Sequence, residues 1–313
     1  MSTSGTAAAL RVLHARAQPL ITPLAHDALS ARLIARAGFQ AFNIGGSAML
    51  AARYALPDLG LAALGEMVAG ARDILDATPL PCMVDADDGY GDIKSVAHTI
   101  ESYERLGAAG AFLEDQVRTS KRPGAQAARG VVALEIMEQK LRAALAARRD
   151  PAFVIVGRTD AAGAEGLDEA LRRAERFLKI GADGVFVAGL KTPADYARVG
   201  GAFKGSWNAT VMLEGGRTPW IPPAELFAMG FSQISYPNSL ILRTAGAIER
   251  GLRRLQELAA GRDIGVGVDE LAFDVLDQAV GLDRWNEIDR KFIVNVGANE
   301  RTKIAGFAPG GGR

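Results

Sequence analysis

Residues 105–115 read RLGAAGAFLED: the last turn of a helix, a glycine, and a short apolar run that closes on two acids. The same phrase returns as ARAGFQAFNIGG at 35–46, KIGADGVFVAG at 179–189 and AMGFSQISYPN at 228–238. Glycine at 38, 107, 181 and 230 suits the left-handed position that closes a helix, and the near-continuous apolar run after it suits a strand buried on both faces of a parallel sheet. Each copy is therefore the α-to-β half of a repeated βα unit. Filling in between the copies predicts strands near 19–25, 39–46, 82–87, 111–116, 153–160, 184–189, 207–213 and 233–238. The segments between them carry helical periodicity, as in LDEALRRAERFLKIG, where Leu167, Leu171, Ala174 and Leu178 share a face. Eight βα units in about 240 residues predict an α/β fold, a closed (β/α)₈ barrel of the TIM type, rather than an open doubly wound sheet.

Outward from the repeats, residues 1–260 are assigned to the barrel and 261–313 to a C-terminal helical extension, with ELAFDVLDQAVGLDRW as its apolar-periodic stretch and GFAPGGGR as a tail. The 36 acidic and 36 basic side chains leave no net field to gather nucleic acid or anionic lipid, so neither is expected as a partner. Arg250, Arg253 and Arg254 are read as a solvated helix face. The single cysteine, Cys82, excludes an internal disulfide and is read as a small core residue. No run approaches the roughly 20 apolar residues of a membrane span, and no signal-peptide pattern opens the chain, so a cytoplasmic location is expected. Three histidines, His14, His26 and His98, are too few for a His-rich zinc site; His26 ends strand one, where a structural and a ligand role are equally open.

In such a barrel, function sits at the C-terminal ends of the strands, and here those ends are polar. Strand three, CMVDADDGYGD, places Asp85 and Asp87 two residues apart and hence on one strand face. Strand four adds Glu114 and Asp115, and Asp58 follows strand two. Carboxylates crowded into a mouth of low dielectric need a cation or a shared proton, and an oxygen-only set suits a hard ion, Mg²⁺ or Mn²⁺ in its place. Strand five ends VGRTD, so Arg158 can hold a substrate carboxylate in bidentate fashion. Gly45, Gly46 and Ser47 can present backbone N–H groups to an anion. Asn208, Glu214, Gly215, Gly216 and Thr218 after strand seven, and Tyr236 and Asn238 from strand eight, complete the candidate mouth.

These residues resemble the isocitrate lyase and phosphoenolpyruvate mutase superfamily through HDALSARL, GGS, LPDLG, VDADDGYGD, LEDQ, GRTD, EGGRTP and YPNS, over roughly residues 20–260. The resemblance implies a barrel enzyme working as a homotetramer that exchanges its last barrel helix. It implies Mg²⁺ at Asp85, Asp87 and Glu114, with Asp58 in the outer shell. Arg158 would bind the substrate carboxylate of a small keto or hydroxy acid, and the backbone of Gly46 and Ser47 another of its oxygen groups. By their places at the strand ends, Gly45, Asn208 and Glu214 join the expected binding set, and Asp58 and Tyr236 join Arg158 as the expected catalytic set. The lyases of this group carry a Lys-Arg-Cys-Gly-His loop after strand four; here the loop reads KRPGA, with Pro123 and Ala125 in place of cysteine and histidine. Asn43, Gly45 and Ala188 likewise replace the lyases' tyrosine, serine and glutamate. GGS and VAG resemble the oxaloacetate decarboxylase branch, whereas YPNS and EGGRTP resemble the lyases and the decarboxylases' histidine near strand eight is absent. The expectation is an Mg²⁺-dependent carbon–carbon lyase, a decarboxylase of an oxaloacetate-like acid first. The alternatives are methylisocitrate lyase-like cleavage, phosphonopyruvate-type C–P chemistry and a catalytically reduced homologue that binds a keto acid.

Overall fold

Eight parallel strands hydrogen-bond in the order β1 to β8, and β8 pairs with β1 to close the barrel. The computed structural model describes residues 4–121, 130–215, 218–263, 265 and 272–292. The first half runs α1 (Ser4–His14), β1 (Leu20–Ala25), α2 (Ala28–Arg36), β2 (Phe42–Ile44), α3 (Gly46–Tyr54), α4 (Leu64–Leu75), β3 (Cys82–Asp85), α5 (Ile93–Arg105) and β4 (Gly110–Glu114). After a 3₁₀ turn at Arg118–Ser120 come α6 (Leu134–Ala147), β5 (Val154–Thr159), α7 (Ala161–Ala164), α8 (Leu167–Ile180), β6 (Gly184–Val187) and α9 (Pro193–Ala202). The last elements are β7 (Trp207–Val211), α10 (Pro223–Met229), β8 (Gln233–Tyr236), α11 (Ser239–Ala259), α12 (Phe273–Val280) and α13 (Leu282–Phe292).

All eight expected strands are present. Each is shorter than expected by one residue or more, and at β2 and β3 the chain turns early: Gly45 caps α3, and Asp87 takes a left-handed φ of 48°. The four repeat glycines have φ of 87°, 89°, 107° and 119°, as helix-closing residues do. Gly230 is the most constrained, since a Cβ there would lie 2.2 Å from the Gly200 carbonyl oxygen. Gly230→Ala is therefore expected to cost about 2–4 kcal/mol in urea unfolding, from the positive φ and the backbone overlap together.

Side-chain alternation sorts the strands into two layers. One face packs against the helices, with Cys82, Val84, Ile155, Val185 and Ile234 in a large core. The other fills the barrel with Leu20, Met83, Phe112, Val154, Val156 and Phe186. Helix α1 contributes Ala7 and Leu10 to that interior. His14, at its end, stacks on Trp207 at 3.8 Å, and burial lowers its pKa to about 4, so it is a neutral packing group.

By contact density the chain divides into Met1–Val266 and Gly267–Arg313. In the first unit α11 has no buried residue, and Ile248, Leu252, Leu255 and Leu258 are each about half exposed. In the second, α12 and α13 expose Phe273, Trp285 and Phe292. No helix of the described residues is long and apolar enough to cross a membrane.

Candidate functional site

At the C-terminal mouth of the barrel lies a cavity of about 1380 Å³. Asn43, Gly45, Gly46, Ser47, Asp58, Asp85, Lys121, Arg158, Asp160, Glu214 and Asn238 line it, beside an apolar wall that includes Phe186, Leu190 and Leu213. Asp85 is the last residue of β3 and points inward with Met83. Asp87 joins it through the turn rather than through strand alternation: the chain folds back so that the Asp87 N–H donates to Asp85 Oδ1 at 3.1 Å. The Asp87 carbonyl in turn accepts from the Glu114 N–H at 2.8 Å, tying the β3 turn to the end of β4.

Arg158, from β5, pairs with Glu114 Oε2 at 2.9 Å through Nη1 and with Asp160 Oδ2 at 3.0 Å through Nε. Its guanidinium also lies 5.3 Å over the Phe186 ring. Glu114 Oε2 is buried and, although ion-paired, receives no well-directed hydrogen bond. Lys121 places its ammonium 2.9 Å from Asp58 Oδ1 and 3.9 Å from Glu114 Oε1, and donates a hydrogen bond to Asp87 Oδ1. Five acids, Asp58, Asp85, Asp87, Glu114 and Asp160, thus face two bases, Lys121 and Arg158.

That imbalance shows in the titration. Burial pushes Glu114 up to about 8 despite Arg158 and Lys121, and burial together with the Asp87 charge raises Asp85. For Lys121, burial alone would lower the pKa; the carboxylates of Asp87, Glu114 and Asp58 outweigh it and hold the ammonium charged. The donor chemistry fits a hard divalent cation: oxygen ligands, buried, and short of positive charge. Among the described residues, however, no three His, Cys, Asp or Glu side chains converge as they stand to hold a metal ion. Lys121 lies among them.

A family model described as phosphoenolpyruvate phosphomutase matches residues 10–256. The chain belongs to the phosphoenolpyruvate phosphomutase family. Among its relatives, 2,3-dimethylmalate lyase of Eubacterium barkeri is 34% identical over 290 residues, covering 92% of this chain and 98% of its own length. Probable 2-methylisocitrate lyase 2 of Corynebacterium glutamicum is 40% identical over 244 residues, 78% of each chain. Among solved structures, oxaloacetate acetylhydrolase in complex with the inhibitor 3,3-difluorooxalacetate superposes with a TM-score of 0.85 at 31% identity, over 92% of this chain and 97% of that one.

Within this phosphoenolpyruvate phosphomutase-family barrel, three residues expected at the mouth face away from it. Asp115 follows Glu114 and so points outward, where it accepts from Thr159 Oγ1 at 2.7 Å, the Asp160 N–H at 2.9 Å and Arg173 at 3.2 Å. Asn208 is fully buried on the outer side of β7, its amide donating to the Gly230 carbonyl at 3.3 Å. Tyr236 also points outward and packs edge-on against Trp220 at 5.7 Å. In each case the inward place belongs to a neighbour one residue away: Glu114, Ala209 and Ser235. His26 is buried beside Asp27, off the cavity lining.

Gly45 caps α3 with no side-chain hydrogen bond, so Gly46 and Ser47 open a helix N-terminus onto the cavity. A Cβ on Gly46 would lie 3.9 Å from both Asp87 carboxylate oxygens, which places this terminus against the acids. Glu214 sits at the rim, bound to Ser239 Oγ and Arg243 Nη1, each at 2.7 Å, and joins the loop after β7 to α11. Thr218 accepts from the Leu213 N–H, and Asn238 Oδ1 is buried without a hydrogen-bond partner. Pro123, Ala125 and Gly216 lie outside the described residues.

Three residues at or beside the mouth carried no assignment in the sequence: Asp160, which follows Arg158 in GRTD and pairs with it, Lys121 and Arg118. Lys121 stands in the KRPGA loop, which is informative for the base it keeps as well as for the cysteine it lacks. Arg118 donates to Asp88 Oδ1 at 2.6 and 3.1 Å and to the carbonyls of Gly60 and Ala62 at 3.3 Å. It thereby joins the loop carrying Asp58, the turn carrying Asp87 and the segment carrying Lys121. A single arginine beside a run of acids was its only sequence signal.

Proposed function

We propose that the chain is a divalent-cation-dependent lyase that removes the β-carboxylate of an oxaloacetate-like α-keto dicarboxylic acid. The observation that carries the decarboxylase part is the place of the one thiol. Cys82 is fully buried at the start of β3, facing the helices, and donates to the Met83 carbonyl at 3.4 Å. Burial also raises its pKa well above the ordinary thiol value. It cannot serve the mouth as an acid or base. Retro-aldol cleavage of an α-hydroxy acid needs a base at the hydroxyl and an acid at the departing carbon, whereas loss of CO₂ from a β-keto acid needs chiefly a site that holds the enolate charge.

Arg158 and the α3 N-terminus at Gly46 and Ser47 are assigned to the substrate's carboxylates, with Glu214 fixing the rim. Asp58 acts through Lys121. Asp85, Asp87 and Glu114 would hold Mg²⁺ or Mn²⁺, which when bound supplies a Lewis acid at the α-keto oxygen. Asn208 and Tyr236 have no part in this reading, because their side chains leave the cavity. Water entering the open mouth supplies the proton that completes the product.

A second reading, cleavage of an alkyl-substituted malate, draws support from the lyase relatives and from the apolar wall of Phe186, Leu190 and Leu213. The products separate the two. Oxaloacetate with Mg²⁺ is expected to yield pyruvate and CO₂ in equal amounts, abolished by EDTA, while 2,3-dimethylmalate under the second reading would yield pyruvate and propionate. Oxalate and acetate from oxaloacetate would point to hydrolysis instead. No EDTA-sensitive product from either acid, with oxalate plus Mg²⁺ still raising thermal stability, would leave a keto-acid-binding protein without turnover.

The same reading assigns α11 to a subunit interface. Ala245, Ile248, Leu252, Leu255 and Ala259 follow one another at alternating spacings of three and four, the seam of a helix built to pack on another helix.

A further inference from the structure

Resting on the assignment of a divalent cation to this mouth, we propose that Lys121 is the site's own counter-ion and that its ammonium and the divalent cation exclude one another. The ammonium lies among Asp58, Asp87 and Glu114, two of which are the acids assigned to the cation. Lys121 is only 5% exposed, so this is a buried group whose charge is answered by those carboxylates rather than by solvent. Lone pairs directed at the ammonium are not available to a metal, and two cations sharing one carboxylate set repel each other at short range.

What would have to move is small. The backbone before Lys121 is anchored: Arg118 holds Asp88, Gly60 and Ala62, the Lys121 N–H donates to the Arg118 carbonyl at 3.2 Å, and the Gly130 N–H donates to Ser120 Oγ at 3.0 Å. The unbranched lysine stem can leave the acids by rotation about its side-chain bonds alone. The Glu114 oxygen nearer to Lys121, Oε1 at 3.9 Å, is then released to the entering cation, while Oε2 stays paired with Arg158 at 2.9 Å. The lysine offsets the repulsion among Asp58, Asp85, Asp87 and Glu114 in the metal-free protein, at the expense of metal affinity.

Calorimetric titration of Mn²⁺ into metal-free parent and Lys121→Met protein tests this, with circular dichroism to verify the fold. The dissociation constant is expected to tighten about 5- to 150-fold in Lys121→Met, the range of an ordinary coupling between two exclusive occupants. Lys121→Arg, which keeps the charge, is expected to stay within about threefold of the parent on the same argument. In the parent, saturating Mg²⁺ is expected to raise acetylation of Lys121 by acetic anhydride, read by peptide mass spectrometry. Equal or weaker Mn²⁺ binding by Lys121→Met, or acetylation unchanged by Mg²⁺, overturns the proposal. If Lys121→Met does not fold, the acetylation result on the parent decides alone. Failure of both proteins to bind Mn²⁺ removes the metal assignment together with this inference, whereas equal binding by both removes this inference only.

Discussion

Arg158→Met is expected to lower kcat/KM by about 30- to 5,000-fold, the cost of about 2–5 kcal/mol for removing one partner of a buried, hydrogen-bonded charge pair with substrate. The loss should fall on KM as well as kcat, because the guanidinium is assigned to a carboxylate present in both the ground state and the transition state. A second effect must be separated from it. Arg158, its side chain 14% exposed, answers the buried Glu114 and Asp160 in the free protein, so its removal leaves buried carboxylates without a counter-charge, a loss of about 3–5 kcal/mol of stability. Unfolding measured alongside kinetics distinguishes the two. Arg158→Lys should recover most of the stability and little of the activity, since an ammonium supplies charge without the planar fork. A variant destabilised by this amount but with kcat/KM within about threefold of the parent would show Arg158 to be an ion bridge only.

The second large effect concerns assembly. From the subunit interface proposed for α11, Leu252→Glu combined with Leu255→Glu is expected to abolish association, the parent eluting as an oligomer and the variant as a monomer in size-exclusion chromatography with light scattering. Both leucines lie on the exposed seam of α11, at 57% and 61% exposure, so within a single chain the substitutions touch almost no packing. Surface changes of that kind cost no more than about 0.5 kcal/mol, and the barrel should keep its thermal transition. In an interface, each glutamate would instead bury a charge opposite an apolar partner, which ordinary helix–helix contacts cannot sustain. A parent that is already monomeric at micromolar concentration, or a double variant that still associates, would remove α11 from the interface.

The barrel was legible in the repeats because one physical requirement generates both the pattern and the fold: a buried parallel strand must be apolar on both faces, and the helix before it must stop at a residue that tolerates positive φ. Gly38, Gly107, Gly181 and Gly230 meet that requirement. The inward acids were legible for a similar reason, since ionised side chains at the end of an apolar strand have few other uses. Orientation was only partly legible. Glu114 and Asp115 are consecutive and cannot both face the cavity, and the same alternation sends Asn208 and Tyr236 outward; strict parity would have excluded one member of each neighbouring pair. It would not have said which, because a register shift of one residue reverses every side chain and only the closed sheet sets the register.

By itself, then, the sequence determined the barrel, the end of it that carries the chemistry, and the presence of more acid than base at that end. Tertiary structure alone decided that Asp87 reaches Asp85 through a left-handed turn and that Arg118 stitches three loops together. It also decided that Lys121 lies among the acids assigned to a metal. Local periodicity reports what each segment buries, but a contact such as Lys121 to Asp58 joins residues from different βα units, and their distance exists only once the barrel has closed.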